Sequence, residues 1–536
     1  MSASVRVNGT GRPWAAAAGL VVAICLIATA CGESRADGAD RPNIVIIMAD
    51  DLGYSDLGCY GGEIETPHLD RMFDEGLRFS QFYNCALCGP SRAALLTGQF
   101  PHRVGIHRWT GLLNQRCVTL FELFKQAGYA TAAVGRLDMT TAEDWHDPQN
   151  IARYVDRFLG STGHTGPVHC FKAVRTTDFF ENGRPYELPD DSYKTDLITD
   201  FATEFIAEAS RDDRPFLLYV SQYAPHWPLH TKPEDMQKYR NRYREGGWDA
   251  ARRRRYERLT AAGLISESTE LAPRDRRAPA WEDAPHRDWE ADRMAAYAGQ
   301  VDSLDQSVGR VLSALKQAGI DHNTLVMFFS DNGASDTAVQ RSLDKPGETW
   351  RLDGTPTSVG NTPDNQPGSP DAFMTAGPAW SSLSNTPFRG HKNGNFEGGI
   401  ASPLIVRWPA VIREGGQTSH EMAHIVDIMA TCLDVASVAY PREFQDRSVA
   451  PISGISLAPV FRGQERTGHA TLCWATSGSK AVREGNWKLV AKPDGPWELH
   501  DLSINRAEQH DVSDRHPERV QRLDAVFREW EQLPAE

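Results

Sequence analysis

Four short apolar runs constrain the fold of this chain more than any other feature of its sequence. They cover residues 43–48, 216–220, 324–329 and 403–406, and each is apolar almost without interruption. Such runs are typical of strands buried on both faces of a parallel sheet. Helical patterns lie between them, for example at 295–318, where leucine and valine recur at helical spacing. Strands that alternate with helices predict an α/β fold.

The size and charge of the chain limit its function. Its 536 residues are 40% hydrophobic and 24% charged, which allows a sizeable core. The formal net charge is -14, which argues against a nucleic-acid partner. Nine cysteines are too few for a disulfide scaffold, and no Cys/His cluster has zinc-finger spacing. The surplus of acidic residues does permit clustered carboxylates that bind a hard cation.

The N-terminus, residues 1–31, has the pattern of an export signal. Two arginines precede an apolar stretch at 15–30, which is short for a membrane span, so a permanent anchor helix is the weaker alternative. The stretch ends in a sequence that resembles a bacterial lipobox, with Ala28 where leucine is usual. Two alternatives stay open: lipid attachment through Cys31, or simple cleavage and secretion. Both predict a periplasmic or extracellular protein.

Changes of composition along the chain predict its domains. A polar linker at 32–42 precedes a large domain at 43–464, and a smaller α+β subdomain follows at 465–536, with a helix from 517 to about 532. A run of four arginines at 252–255 is either a solvated helix face or a patch for an anionic polymer. Three polar segments are predicted to be long loops or insertions around the core: 140–195, 232–290 and 334–385.

Polar residues follow two of the predicted strands at their carboxyl ends. Asp50 and Asp51 come after the first run, and Asp331 and Asn332 come after the third. Ligands of open α/β sheets bind beyond the carboxyl ends of strands, so these side chains would converge if the two strands are neighbours. Three carboxylates and one amide are an all-oxygen set that suits Ca²⁺ or Mg²⁺ and is poor for zinc. The alternative for such an Asp pair is a turn or a helix cap.

The segment CGPSRAALLTG at 88–98 is the most specific motif of the chain. It resembles the signature of the sulfatase family without a mismatch. In that family, the cysteine of an exported chain is converted to formylglycine (3-oxoalanine) by a formylglycine-generating enzyme that reads the flanking Pro, Ser and Arg. The resemblance therefore implies this modification at Cys88. A redox pair with Cys85 is a weaker interpretation, because it leaves the rest of the motif unexplained. We expect Cys85 to be a buried residue with no role in the chemistry.

The proposed modification has a clear chemical purpose. In the mechanism that the resemblance implies, the aldehyde would hydrate to a geminal diol, and one hydroxyl, activated by the metal, would attack sulfur. The second hydroxyl would then expel sulfate and regenerate the aldehyde, a step that a serine could not perform. A helix that starts near Ser91 would also direct its N-terminal amides at the sulfate.

The resemblance covers roughly residues 43–535, and it implies the alkaline-phosphatase-like sandwich, in which a large, mostly parallel mixed sheet lies between helices. It also implies a formylglycine-dependent (type I) site. Arg92 would orient the diol and offset charge, while His226 and Lys392 would hold the sulfate and help the leaving oxygen depart, because the transition state gathers negative charge. The implied ligands of Ca²⁺, or alternatively Mg²⁺, are Asp50, Asp51, Asp331, Asn332 and modified Cys88.

One segment departs from the family pattern. The family usually has Gly-Lys-x-His where this chain has Gly-Arg-Leu-Asp, with Arg136 and Asp138 in place of a Lys and a His that face the sulfate. Arg136 keeps the positive charge and could bind sulfate with a different geometry. Asp138 would repel sulfate unless it turns away, pairs with Arg136 or binds a substrate hydroxyl. His226 is then the preferred general acid, with His102 or His107 as substitutes.

The predicted reaction is hydrolysis of the sulfate ester of a sulfated carbohydrate or an aryl sulfate. Two alternatives stay open. One is a hydrolase of phosphate esters or phosphonates that uses the same metal site. The other is a non-catalytic protein that binds sulfated glycans, and Asp138 is the residue that motivates it.

Overall fold

A computed structural model of the chain describes residues 41–106, 112–139, 145–147, 150–162, 171, 179–189, 192–339 and 357–533. The predicted export signal, Cys31 and His107 lie outside these residues. Within the described ranges, every helix is too short or too polar to cross a lipid bilayer.

The strands that follow all belong to the described residues. In chain order they are β1 (Asn43–Ala49), β2 (Leu77–Tyr83), β3 (Ala130–Arg136), β4 (Arg157–Ser161), β5 (Phe180–Glu181), β6 (Arg184–Pro185), β7 (Phe216–Ser221), β8 (Thr324–Ser330), β9 (Ser358–Val359), β10 (Ala372–Phe373), β11 (Ala401–Arg407), β12 (Gln417–Ser419), β13 (Ala423–His424), β14 (Glu443–Phe444), β15 (Arg447–Ser448), β16 (Thr471–Thr476), β17 (Ser479–Glu484), β18 (Trp487–Ala491) and β19 (Glu498–Asp501).

A mixed sheet of 11 strands forms the core of the described part of the chain, in the order β12-β2-β11-β8-β1-β7-β3-β4-β5-β6, with β13 also paired to β2. Its centre is parallel: β8, β1, β7, β3 and β4 run in one direction. β11 runs antiparallel to both of its neighbours, β2 and β8. The four apolar runs of the sequence are therefore four adjacent strands, β11, β8, β1 and β7, and each is buried throughout or nearly so. The predicted mixed, mostly parallel sheet is confirmed.

The helices of the described residues are α1 (Pro67–Asp74), α2 (Cys88–Thr97), α3 (Leu120–Gln126), α4 (Lys194–Ala209), α5 (Pro233–Gln237), α6 (Gly247–Ala261), α7 (Arg287–Gln317), α8 (Gly377–Ser384), α9 (Glu397–Ile400), α10 (Val426–Val435), α11 (Ala458–Phe461) and α12 (Pro517–Glu531).

Helices cover both faces of the sheet. Successive side chains of a strand point to opposite faces, and β1 shows this division. Val45 and Ile47 pack in one apolar cluster with α1, α4 and α7. Ile44 and Ile46 pack in a second cluster with α2, α3 and α10. The predicted sandwich of a sheet between helices is therefore confirmed.

A small α+β unit follows the large sheet. β16 to β19 form an antiparallel sheet of four strands, and α12 packs Leu523 and Phe527 against it. Lys488 on β18 is fully buried and lies 3.0 Å from a carboxylate oxygen of Glu397 and 2.7 Å from one of Glu508. The ion pair with Glu397 joins the small sheet to α9, the short helix that precedes β11. The predicted C-terminal subdomain is present, while its boundary at 464/465 stays a prediction.

The segment 232–290 is more regular than the sequence predicted, because it contains α5 and α6. The arginine run lies on α6, and two of its members are buried. Arg255 donates to Asp56 at 2.6 Å and to Glu63 at 2.7 Å, and Arg252 donates to the carbonyl of Ala272 at 2.7 Å. The expectation of a solvated helix face is therefore wrong for Arg252 and Arg255, since both are buried and Asp56 and Glu63 neutralise Arg255.

Candidate active site

The predicted acidic residues meet at one edge of the sheet. β1 and β8 are adjacent and in register, with Ala49 opposite Ser330, so both strands end at the same level. The backbone N–H of Asp51 donates to Oδ1 of Asp331 at 3.2 Å, and the Asn332 amide donates to Oδ1 of Asp51 at 2.6 Å. The convergence expected at the carboxyl ends of these strands is what the structure contains.

Cys88 is the first residue of α2, and its Sγ lies 3.4 Å from Oδ1 of Asp50. The helix thus begins at Cys88, three residues earlier than the predicted start near Ser91. Burial, together with the charge of Asp50, raises the pKa of the Cys88 thiol well above its usual range. A neutral thiol is a poor nucleophile, so unmodified Cys88 is ill suited to attack a substrate.

Cys85 is also buried, and it is a free cysteine. Its backbone N–H donates to Ser91 Oγ at 3.0 Å, and its carbonyl accepts from Thr476 at 3.1 Å. Burial raises the pKa of the Cys85 thiol as well. These properties agree with the prediction that Cys85 is a buried bystander.

Arg92 lies at the centre of the charged cluster and is fully buried. Its Nη2 donates to Asp50 at 3.0 Å and to Asp331 at 2.8 Å. Its Nη1 donates to the hydroxyl of Ser221 and to the carbonyl of Arg136. The sequence analysis missed Ser221, which could have been found because it ends β7, the strand beside β1.

Burial and neighbouring charges act in opposite directions on two of these carboxyls. Burial by itself would raise the pKa of Asp50, but Arg136, His226, Arg92 and Lys392 outweigh it and hold the pKa well below its usual range. The pKa of Asp331 is raised by burial and by the charge of Asp50, against the opposing effect of Arg92. The two carboxylates share the guanidinium of Arg92.

Lys392 and His226 approach the same carboxylate from two other segments. Lys392 Nζ lies 2.6 Å from Oδ1 of Asp51, and His226 Nε2 lies 3.6 Å from its Oδ2. His226 Nδ1 is in contact with the carbonyl of Trp227, which can only accept, so Nδ1 carries the proton. Burial lowers the pKa of His226. Its Nε2 lone pair therefore faces the acidic cluster when the ring is neutral.

The residues present fit a bound cation. One ligand atom each from Asp50, Asp51, Cys88 and His226 lies within 4.8 Å of the other three. In addition, Oδ2 of Asp51 and Oδ1 of Asn332 are buried and accept no hydrogen bond. A buried polar atom without a partner costs about 1–3 kcal/mol, and a cation between these oxygens would remove that cost. His226 is a candidate ligand that the sequence did not include in the metal set.

Arg136 and Asp138 form a buried ion pair beside this cluster. Nη2 of Arg136 lies 3.2 Å from Oδ2 of Asp138, while Nη1 donates to Asp50. Burial would lower the pKa of Arg136, but Asp138 and then Asp50 outweigh it and raise the pKa. The structure contains the pairing of Asp138 with Arg136. The same guanidinium also contacts Asp50.

The two substitute acids lie elsewhere or outside the described residues. His102 lies in a 3-10 turn at Pro101–Val104, and its ring centroid is 4.1 Å from that of Trp530 on α12. The described ligand atoms that converge at the acidic cluster include one from His226 and none from His102. His107 cannot be placed. His226 therefore stays the predicted general acid.

Comparisons with known proteins identify the family to which this chain belongs. The family model described as "Sulfatase" matches residues 42–438, and the model "N-sulphoglucosamine sulphohydrolase, C-terminal" matches residues 391–529. An uncharacterised sulfatase of Schizosaccharomyces pombe is 30% identical over 90% of this chain and 92% of its own. An arylsulfatase of Klebsiella aerogenes is 29% identical over 82% of this chain and 96% of its own.

Solved structures show the same fold. The structure of Ps i-CgsB superposes with a TM-score of 0.66 at 23% identity, covering 92% of this chain and 93% of that one. BT4656, in complex with D-glucosamine-2-N,6-O-disulfate, gives a TM-score of 0.62 at 22% identity, covering 92% and 99%. With the family model matched over most of the chain, the protein belongs to the sulfatase family of the alkaline-phosphatase-like superfamily, and it is an enzyme that hydrolyses sulfate esters.

Proposed function

We propose that this enzyme releases sulfate from a sulfated carbohydrate by means of a formylglycine made from Cys88 and a divalent cation. One observation carries the proposal: Cys88 begins a buried helix with its Sγ 3.4 Å from Asp50, beside two buried oxygens that lack hydrogen-bond donors. A nucleophile at this position, a cation site and a set of cationic side chains therefore lie in one cluster.

The side chains of the cluster have distinct tasks in this proposal. Asp50, Asp51, Asp331 and Asn332, with modified Cys88, would hold Ca²⁺ or Mg²⁺, since oxygen ligands suit both. His226 Nε2 is kept off the cation in this proposal, because it has to carry the proton for the leaving oxygen. When bound, the cation would polarise a sulfate oxygen and favour ionisation of a formylglycine hydroxyl. The fixed positive charges of the cluster would stabilise the negative charge that develops in the transition state.

Arg92, Arg136 and Lys392 supply those charges, and each is buried. Arg92 is held by two carboxylates and Ser221, so it compensates the acidic residues and keeps them in place. Lys392, which contacts Asp51, can turn part of its hydrogen-bonding capacity to a sulfate oxygen, because an ammonium has three donors. His226 would pass a proton to the leaving oxygen from Nε2 once that atom is protonated.

The names of related proteins support a carbohydrate substrate. N-acetylgalactosamine-6-sulfatase of Canis lupus familiaris is 29% identical over 87% of this chain. N-acetylglucosamine-6-O-sulfatase of Bacteroides thetaiotaomicron is 26% identical over 82% of this chain. Both act on sulfated amino sugars by name, so we propose a sulfated glycan or its fragments as the substrate class. Aryl sulfates serve as assay substrates, as the name of the Klebsiella relative suggests.

The export signal remains part of the proposal. We propose that the enzyme acts outside the cytoplasmic membrane, either secreted or attached to the membrane by lipid at Cys31. Fractionation of cells that express the parent or Cys31→Ser distinguishes these cases, because loss of the thiol releases a lipoprotein into the soluble fraction and leaves a secreted protein unaffected.

The modification is tested by mass spectrometry of the peptide that contains residue 88. Protein made together with the formylglycine-generating enzyme should carry 3-oxoalanine there and hydrolyse 4-nitrophenyl sulfate. Cys88→Ala should abolish turnover, whereas the matched variant Cys85→Ala should keep both modification and activity. Active enzyme with an unmodified Cys88 would refute the mechanism. A dominant rate on 4-nitrophenyl phosphate in a parallel assay would favour a phosphate ester substrate instead.

A further inference from the structure

The positive and negative charges of the active-site cluster nearly balance. The cluster contains four buried carboxylates, Asp50, Asp51, Asp331 and Asp138, and three buried cations, Arg92, Arg136 and Lys392. His226 is counted as a neutral ring, with its proton on Nδ1 towards the carbonyl of Trp227. With every carboxylate ionised beside a divalent cation, the described side chains and the ion together carry a single positive charge.

Asp138 differs from the other three carboxylates in its position. It is not one of the described residues whose ligand atoms converge within 4.8 Å, and it forms an ion pair with Arg136. Its backbone is left-handed, with φ at 52°, a conformation in which Asn, Asp and His are over-represented among residues with a side chain. The backbone would therefore accept a neutral residue, so the negative charge is not dictated by the fold.

The guanidinium of Arg136 connects Asp138 to the acidic cluster, because it contacts both Asp138 and Asp50. Arg136 lies between Asp50 and Asp138 and is 6% exposed, so water screens the pair weakly. With a neutral residue at 138, the guanidinium would be shared with one carboxylate fewer, and the cluster would carry two positive charges. The charge at 138 thus sets the net charge that an anionic substrate meets.

We propose that Asp138 is a specificity-determining residue that matches the site to the single negative charge of a sulfate monoester and disfavours the dianion of a phosphate monoester. The proposal rests on the proposed function, because it assumes a divalent cation in the cluster. A sulfate monoester has one ionised oxygen, whereas a phosphate monoester carries about −1.5 to −2 charges at pH 7. The additional charge of the phosphate is repelled by the carboxylate that the buried Arg136 holds in place.

The size of the effect follows from Coulomb's law in a partly screened interior. One additional unit charge, several ångströms from a carboxylate at an effective dielectric of about 20, changes relative binding on the order of 10- to 100-fold. The change applies to the ratio of phosphate to sulfate turnover, because the two esters have the same leaving group and differ in charge. A loss of activity common to both esters leaves this ratio unaltered.

The test compares kcat/KM for 4-nitrophenyl sulfate and 4-nitrophenyl phosphate at pH 8, where the phosphate is a dianion. Asp138→Asn should raise the phosphate-to-sulfate ratio on the order of 10- to 100-fold. Asp138→Glu keeps the charge and should keep the ratio. Asp235→Asn, which removes a buried carboxylate held by Ser303 and Gln306, is the matched control and should also keep it.

A second measurement needs no variant. The methyl ester of 4-nitrophenyl phosphate is a monoanion, so the parent enzyme should prefer it to 4-nitrophenyl phosphate despite its greater bulk. An unchanged ratio in folded Asp138→Asn overturns the proposal. If that variant does not fold, a parent enzyme that prefers the dianionic phosphate ester overturns it.

Binding separates this proposal from the proposed function. Parent and Asp138→Asn made without the modifying enzyme keep a thiol at residue 88, and calorimetric titration of the Ca²⁺-loaded proteins with both esters measures affinity alone. The affinity ratio should shift in the same direction as the kinetic ratio. Modified parent enzyme that releases no sulfate would refute the proposed function, while an unshifted affinity ratio would refute the role of Asp138.

Discussion

Arg92 provides the sharpest test of how the charged cluster is held together. Its guanidinium is fully buried and donates to two carboxylates, Asp50 and Asp331, to the hydroxyl of Ser221 and to the carbonyl of Arg136. Arg92→Met keeps much of the volume and removes the charge. Two carboxylates then remain in the interior without their principal cation.

The expected loss can be worked from these contacts. Removing one partner of a buried ion pair costs about 3–5 kcal/mol, because the other charge is left uncompensated. Because Arg92 contacts two carboxylates, we expect Arg92→Met to lower the free energy of unfolding by about 5 kcal/mol, the upper end of this range, in protein free of divalent cations. Arg92→Lys keeps the positive charge but loses the planar guanidinium and some of its N–H donors, so it should lower the free energy of unfolding by about 1–3 kcal/mol.

Urea titration followed by tryptophan fluorescence measures the free energy of unfolding of each variant, in EDTA and in Ca²⁺. The matched control is Arg71→Met, since Arg71 is 61% exposed in its pair with Glu75 and should contribute under about 1 kcal/mol. In Ca²⁺ the loss in Arg92→Met should shrink, because the ion compensates the same carboxylates. Arg92→Met as stable as the parent in EDTA would contradict this account of the cluster.

Three further outcomes follow from other parts of the molecule. Burial would raise the pKa of Glu63, but Arg255 outweighs it and lowers the pKa to about 2 from 4.5. The pair therefore contributes about 3 kcal/mol to the free energy of unfolding above pH 4.5, and this contribution is lost as pH falls toward 2. In urea titrations, the stability difference between Glu63→Gln and the parent should shrink between pH 5 and pH 3. Lys488→Met leaves Glu397 and Glu508 buried without their shared lysine, and calorimetry should show a loss of about 3–5 kcal/mol, or a separate early transition of the C-terminal sheet. Chelation of divalent cations should lower the melting temperature in a fluorescence scan, and added Ca²⁺ should restore it by mass action; an unchanged melting temperature would contradict a bound ion.

The central sheet and the site at its edge could be predicted from sequence because both depend on local patterns. An apolar run without alternation has no solvated face, so it must be covered on both faces, and the four runs do become neighbouring strands, of which β8, β1 and β7 are parallel and β11 is antiparallel. Residues that follow such strands lie at one edge, which brought Asp51 and Asn332 together. The motif at 88–98 identified the family, since a long motif in register rarely occurs by chance.

Pairing between distant segments was decided by tertiary structure alone. The sequence could not show that Arg255 is neutralised by Glu63, that Ser221 accepts from Arg92, or that His226 directs Nε2 at Asp51. The local sequence around a charged side chain is the same whether that side chain is solvated or buried. The partner that offsets the desolvation cost of burial comes from elsewhere in the chain.

Asp138 shows the difference most clearly. Its sequence position determined only that a carboxylate stands where the family has a histidine. The structure decided that this carboxylate faces Arg136 at 3.2 Å, in a left-handed backbone conformation beside Asp50. The sequence therefore determined which charges the active site contains, and the fold determined which of them compensate one another, because compensation depends on distance and burial rather than on order along the chain.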